Sequence, residues 1–391
     1  MSENLILLKE TFRRYFNVEA TNYFFIPSRL EIIGNHTDHQ RGLCLVANSS
    51  IGLEAVVSKN SDTIVHLFSK DHDEVLIDIA GFTIRENEVL TSAALIRGVA
   101  SYFLQNNYKI GGFNAYLLSH IPPGIGLSSS AAFSLFVANT LNYLFNDNKI
   151  APFELVKAAR YSENHYFKKA SGLLDQIGIT YKGVNYIDLK DENSPIIEKV
   201  PFNLPLDIYL VDTGSHHLDS THLYESIRHD YVSFAKKYFK AQDLGAISEG
   251  DVHHLFANPH QKIAFNLQKR IQHYYDENNR VRLSKMALER DDLETFLMNI
   301  NFSGLSSSQN LKNTQSGNYK TSPERALQLA RKVLKKGACR VHGGGFQGAI
   351  ICFVPHEEKE VFLEKMNDVY GKKRVFKVFI NEEGIKHRCL T

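Results

Sequence analysis

Three serines follow two prolines and two glycines in IPPGIGLSSSAAF, residues 121–133. Pro122, Pro123, Gly124 and Gly126 make a turn that is neither helix nor mid-strand. The apolar run at 131–139 then reads as a helix. A Gly-rich loop that feeds a helix N-terminus suits phosphate, because backbone N–H groups point outward and the helix dipole favours negative charge. Gly124 and Gly126 allow close approach of the backbone, and Ser128, Ser129 and Ser130 add hydroxyls for phosphate oxygens or for Mg²⁺. The same residues also fit a plain Ser-capped helix after a proline turn. No lysine follows the glycines, so this is not a Walker loop.

Two further stretches concentrate polar groups. PSRLEIIGNHTDHQRG, residues 27–42, gathers Arg29, Asn35, His36, Asp38 and His39 around Gly34. It reads as a loop between strands, where binding residues usually sit, or as a solvated turn shaped by Asn35 and Asp38. In KASGLLDQIGITYKG, residues 169–183, Asp175 is flanked by Leu173, Leu174 and Ile177. A carboxylate in such surroundings needs a partner, as a structural hydrogen-bond hub or as a catalytic group. Glu163 precedes it by twelve residues. The two fall on different elements and could converge on one metal–substrate site.

Elements must position these groups. Residues 3–16 have helical spacing, and 23–26 form a short strand ending at Pro27. Residues 43–57 read as paired strands and 63–79 as a second β stretch. A helix at 91–105 precedes a strand at 113–119, which enters the serine loop. The order strand, Gly loop, helix is the context a phosphate loop requires. Residues 152–167 are helical, with Glu163 near the end. A strand at 207–212 leads through a polar loop into the mainly helical stretch 219–300. Residues 303–321 read as a mobile Ser/Asn/Lys-rich loop. A helix at 324–336, strands at 338–342 and 349–353, a helix at 356–368 and a strand at 374–379 complete the chain. The change of pattern at 202–205 divides it into domains 1–203 and 204–391.

Composition excludes several classes. The 391 residues are 43% hydrophobic and 23% charged, with net charge +2, as in a folded globular protein with room for two cores. So small a charge predicts neither nucleic acid nor an acidic membrane as partner. The 17 histidines are scattered, without a metal-ligating helical pair. Cys44, Cys339, Cys352 and Cys389 show no C-x-x-C spacing and read as reduced thiols. With no signal-peptide core and no apolar run of about 18 residues, a cytoplasmic protein is expected.

RVHGGGFQGA, residues 340–349, is the third motif in order. Together the three resemble the GHMP small-molecule kinases, and the Gly-x-His-Thr-Asp core of the first resembles the galactokinases among them. The resemblance implies an α+β, two-domain fold, with a left-handed βαβ unit in the N-terminal domain and a ferredoxin-like C-terminal domain. It implies transfer of phosphate from ATP to the anomeric hydroxyl of galactose, by a monomer. Gly124, Gly126, Leu127, Ser128, Ser129 and Ser130 would cradle the ATP phosphates, with Gly343, Gly344 and Gly345 close by. Ser130 and Glu163 would hold Mg²⁺. Asp175 matches the catalytic aspartate and Arg29 the arginine beside it. Asn35, His36, Asp38 and Gly172 match sugar-contacting positions, and Tyr224 the tyrosine that closes over the sugar.

The chain departs from the galactokinase pattern at several places. Asn35 stands for Glu, His39 for Tyr, Ser28 for Gly, His342 for Thr and Gln347 for Gly. A Glu would repel a carboxylate at carbon 6 of the sugar, and Asn would not. The following DHQ resembles plant galacturonate kinases, so a sugar altered at carbon 6, such as galacturonate, is the alternative substrate. A non-catalytic sugar and ATP sensor is the alternative of another class.

Overall fold

The computed structural model describes residues 3–70, 73–215, 221–315 and 317–390. Its strands are β1 Asn22–Ile33, β2 Leu43–Lys59, β3 Ile64–Ser69, β4 Val75–Asp78, β5 Phe113–Ser119, β6 Val184–Asp188, β7 Ile196–Val200, β8 Leu206–Asp212, β9 Ala338–Val341, β10 Ala349–Pro355, β11 Val375–Val378 and β12 Lys386–Cys389. Its α-helices are α1 Glu3–Phe16, α2 Ser92–Gln105, α3 Ser129–Phe145, α4 Pro152–Tyr161, α5 Leu174–Thr180, α6 Thr221–Phe234, α7 Glu249–Ala257, α8 Phe265–Glu289, α9 Leu293–Ser306, α10 Pro323–Val333 and α11 Lys359–Tyr370. None is long and apolar enough to cross a membrane.

Two sheets organise the chain. Eight strands form the first, with β12-β1-β2-β5-β3-β4 in order and β6 and β7 branching from β2. Its β3 and β5 run parallel, joined through β4 and α2. The second sheet has order β11-β8-β10-β9. All its pairings are antiparallel, and with α10 and α11 this is the split βαβ, ferredoxin-like arrangement. The last strand leaves that unit and pairs with β1 in the first sheet. The main core runs from Phe24 and Phe136 of the first sheet's side to Phe296 and Phe353 of the second.

Four local expectations change. Pro27 does not end a strand: β1 continues through it to Ile33. A register shift lies between Pro27, opposite Gly52, and Arg29, opposite Asn48. Since β12 pairs only with 22–25, the proline sits at a bulge beside an open edge, where its missing N–H costs no ladder bond. Arg29 is therefore on a strand and not in a loop. Residues 43–59 are one long strand, β2. The helix expected at 152–167 stops at Tyr161, and a wider π turn, Ser162–Tyr166, carries Glu163.

The expected mobile loop at 303–321 is instead ordered. Helix α9 reaches Ser306 and a π turn continues to Leu311. Ser303, Ser307 and Asn313 are buried, where Ser303 donates to Glu277 at 2.6 Å. Small polar side chains here satisfy buried acceptors, which their composition hides. Residues 216–220 of the polar loop after β8 lie outside the described residues.

A buried ion pair ties the two sheets. Arg340 on β9 is wholly buried. Its Nη2 meets Glu31 Oε1 of β1 at 2.8 Å, and its Nη1 donates to the carbonyls of Glu31 and Ile32 at 3.0 and 3.2 Å. Removing one partner strands a buried charge, so Arg340→Met should lower stability by about 3–5 kcal/mol in denaturant unfolding. The Arg340→Met/Glu31→Leu double variant should recover a large part of that loss.

Candidate active site

The serine loop does not form a side-chain cap. Gly124 and Gly126 have φ of 75° and 71°. Ser128 also lies in the left-handed region, φ 57°, and makes no side-chain cap to α3. The first N–H groups of this 17-residue helix thus face the loop without a side-chain acceptor from the N-cap. Such a terminus suits phosphate, which removes the plain-cap alternative.

Next to the loop stands an ion pair. Arg29 Nε and Nη2 both reach Asp175 Oδ1 at 2.8 Å. Its Nη1 donates to the Gly126 carbonyl, which ties the bulged strand to the phosphate loop. Asp175 sits in the first turn of α5. Burial pushes its pKa up, but Arg29 and Lys169 outweigh that and hold it below the usual carboxylate range. It is ionised at neutral pH and able to accept a proton.

Glu163 is fully buried behind the loop. Ser130 donates to its Oε1, and Ser171 and Gln176 donate to Oε2, each at 2.7 Å. Among the described residues no three His, Cys, Asp or Glu side chains cluster as a metal site. Ser130 and Glu163 supply two adjacent oxygens. That set suits a hard cation that takes its remaining ligands from phosphates and water.

The turn after β1 is held from the far side. Glu277 on α8 accepts from the N–H groups of Gly34 and Asn35 at 3.1 and 3.0 Å. Burial raises its pKa, yet Arg280, His273 and Arg340 pull it down to about 2. His36 donates through Nε2 to the Gly344 carbonyl at 2.9 Å, so its Nδ1 must accept from His39 Nε2 at 3.2 Å. His39 Nδ1 in turn accepts from Gln40 at 3.2 Å. This single direction of donation requires both imidazoles to be neutral. Burial, the largest cause for both rings, agrees: it takes His36 down to about 3 and His39 well below its ordinary range.

Asp38 faces the cleft. Burial first, then the charges of Asp175 and Glu31, raise its pKa to about 7. Its carboxylate lies against Gly172, where a Cβ would collide with Oδ2. Tyr224 of α6 packs on His36, with ring centroids 4.8 Å apart. A Cβ on Gly344 would come within 2.7 Å of the Tyr224 ring. Gly343 and Gly345 have φ of 68° and 79°.

Asn35 does not project freely at a ligand. Its Nδ2 donates to Glu31 at 3.1 Å and to the Gly343 carbonyl at 2.7 Å. Its Oδ1 accepts from Asn313 at 2.8 Å and Ser307 at 3.1 Å. It is a buried junction between the turn, the third motif and the end of α9.

One cleft of about 600 Å³ gathers these groups. Every residue singled out above from the sequence as catalytic, phosphate-binding or sugar-contacting lines it, whereas Glu163 lies just behind its wall. Glu31 and Lys169 are among the lining residues that escape sequence reasoning. Glu31 reads as one polar position in an apolar strand. Lys169 reads as half of a surface lysine pair, although it lies between Glu163 and Asp175 in the chain.

Comparison with known proteins shows what the chain resembles. Residues 94–183 match the GHMP kinases N terminal domain, and residues 10–59 match the galactokinase galactose-binding signature. The galactokinase of Lacticaseibacillus casei is 28% identical over 93% of this chain and 92% of its own length. That of Lactococcus lactis is 27% identical over 94% and 91%. The crystal structure of Lactococcus lactis galactokinase complexed with galactose superposes with TM-score 0.84 at 24% identity, covering 99% of this chain and all of that one. A mevalonate kinase follows at TM-score 0.67 and 14% identity, over 92% and 99%. The chain thus carries a galactokinase galactose-binding signature and a GHMP kinase N-terminal domain, and over more than nine-tenths of its length it is similar to galactokinases.

Proposed function

We propose that this chain transfers the γ-phosphoryl of ATP to the anomeric hydroxyl of galactose, giving galactose 1-phosphate and ADP. The observation that carries this reading is the Arg29–Asp175 pair. It stands between a phosphate loop and a turn of sugar-facing polar groups within one cleft. Domains 1–203 and 204–391 belong to the same reading, as does a cytoplasmic monomer with free thiols.

The roles follow from position. The loop from Gly124 to Ser130, with Leu127 packed beneath it, cradles the phosphates through amides and hydroxyls. Gly343, Gly344 and Gly345 leave room beside it. Ser130 and Glu163 would hold Mg²⁺, whose charge offsets that of the phosphates. Asp38, with Gly172 beneath it, accepts sugar hydroxyls, and Tyr224 covers the ring from α6. His36 and Asn35 act by fixing the turn and the third motif. Asp175 then accepts or orients the proton of the attacking hydroxyl. Arg29 keeps Asp175 ionised. Phosphoryl transfer is loose, so positioning supplies most of the rate.

Two features favour a neutral sugar over a uronic acid. The Asn35 amide is saturated by protein groups, so it has no free donor for a carboxylate. The buried Glu31 carboxylate beside it would repel one. The intact Arg29–Asp175 pair supports catalysis over sensing.

Three measurements test this. ADP release should be fastest with galactose among galactose, galacturonate, glucuronate, N-acetylgalactosamine and arabinose; preference for a uronic acid would overturn the substrate. Asp175→Asn should cut kcat by about 10²–10⁴-fold with ATP affinity retained by calorimetry. Near-normal turnover would remove its role. Sugar hydroxyls donate to ionised Asp38, so sugar binding releases a proton from a group held at about 7. The KM for galactose should therefore fall as pH rises from about 6 to about 8, and a flat profile would exclude Asp38.

A further inference from the structure

The transferring phosphoryl group needs positive charge, and Arg29 already commits three of its five N–H donors to protein acceptors. Its Nε and Nη2 are committed to Asp175 and its Nη1 to the Gly126 carbonyl. Another cation does stand in the cleft. Lys169 Nζ lies 3.2 Å from Ser130 Oγ, 3.5 Å from Glu163 Oε1 and 3.9 Å from Asp175 Oδ2. The chain puts it there deliberately. Lys168 adopts a left-handed φ of 62° at the end of the π turn, and the Lys169 N–H closes on the Glu163 carbonyl at 2.9 Å. The side chain is thereby turned back over the site.

On the reading above, Ser130 and Glu163 mark the metal side of the γ-phosphoryl and Asp175 the hydroxyl side. A group within 4 Å of both sides is within reach of the oxygens between them. We propose that Lys169 is a catalytic residue whose ammonium donates to a non-bridging oxygen of the γ-phosphoryl during transfer. This inference rests on the kinase reading and adds a residue to it. In the step, the anomeric oxygen forms a bond to Pγ and its proton passes to Asp175. The bond from Pγ to the β–γ bridging oxygen breaks, and its electron pair leaves on ADP. Lys169 keeps its proton throughout and contributes charge where charge moves. Its side chain is 39% exposed, so the head has room to move from Glu163 towards the phosphoryl group. With no nucleotide bound, the same ammonium lies between the Glu163 and Asp175 carboxyl groups as their shared neighbour.

The role predicts a transition-state effect. Lys169→Met should lower kcat by about 10²-fold while galactose KM and AMPPNP affinity stay within about threefold. Affinity for ADP with aluminium fluoride, Mg²⁺ and galactose should fall in parallel with kcat, since that mimic reproduces the transferring group. Lys169→Arg, which keeps the charge but not the point geometry, should recover part of both. Unchanged melting temperatures of the two variants would exclude misfolding as the cause. A Lys169→Met kcat within threefold of the parent would overturn the proposal and leave the kinase reading standing. So would equal losses of AMPPNP and aluminium fluoride affinity. A parent inactive on every sugar would overturn both.

Discussion

The segment from Glu31 to Asn35 is gripped by buried charge from the other half of the molecule, and the cleft depends on that grip. Arg340 of β9 holds the Glu31 side chain and two carbonyls at the end of β1. Glu277 of α8 holds the next two amide groups. A guanidinium thus takes the acceptors of this short stretch and a carboxylate takes the donors. Both lie where water does not compete, so they are strong only as a complete set. Arg29, His36 and Asp38 flank the gripped stretch, and their positions follow from it. Asn35 then passes the constraint to the Gly343 carbonyl, so the turn after β1 and the third motif are directly bonded.

Charge in the cleft is balanced by position. Asp175 has Arg29 on one oxygen and Lys169 near the other. Glu163 has Lys169, two hydroxyls and an amide. Asp38 has the His39 backbone and the charge of Arg160 in its favour, which do not offset burial and its acidic neighbours, and its affinity for protons rises. On the proposed reading, that acid is the one placed to accept from neutral hydroxyl groups. The neutral His36–His39 pair keeps positive charge from spoiling that arrangement.

Most of the site was legible because it lies in short motifs whose residue types carry their own chemistry. The glycines and serines of 124–130 point to anion binding by residue type alone, and they do line the cleft. What stayed hidden depends on contacts distant in sequence. Asn35 looks like a ligand reader until Asn313 and Ser307 are seen to occupy it. Lys169 looks solvated until a left-handed Lys168 turns the chain back. The error at Pro27 has a local cause: proline usually ends a strand, and only the bulge opposite Gly52 and the short reach of β12 exempt it. The serines of 303–307 read as a loop because helix propensity is weak for them, while burial against Glu277 decides the matter.

The pairing of β12 with β1 has a consequence for biosynthesis. His387 of the last strand bonds to Asn22 of the first across 365 positions. A growing polypeptide presents β1 to the ribosome surface long before its outer neighbour exists. Closing so distant a contact is entropically slow, and until it closes, β1 remains an open edge able to pair with other chains. Completion of the first sheet therefore waits for residues made 365 positions after the start of β1, and until then that edge is exposed to mispairing.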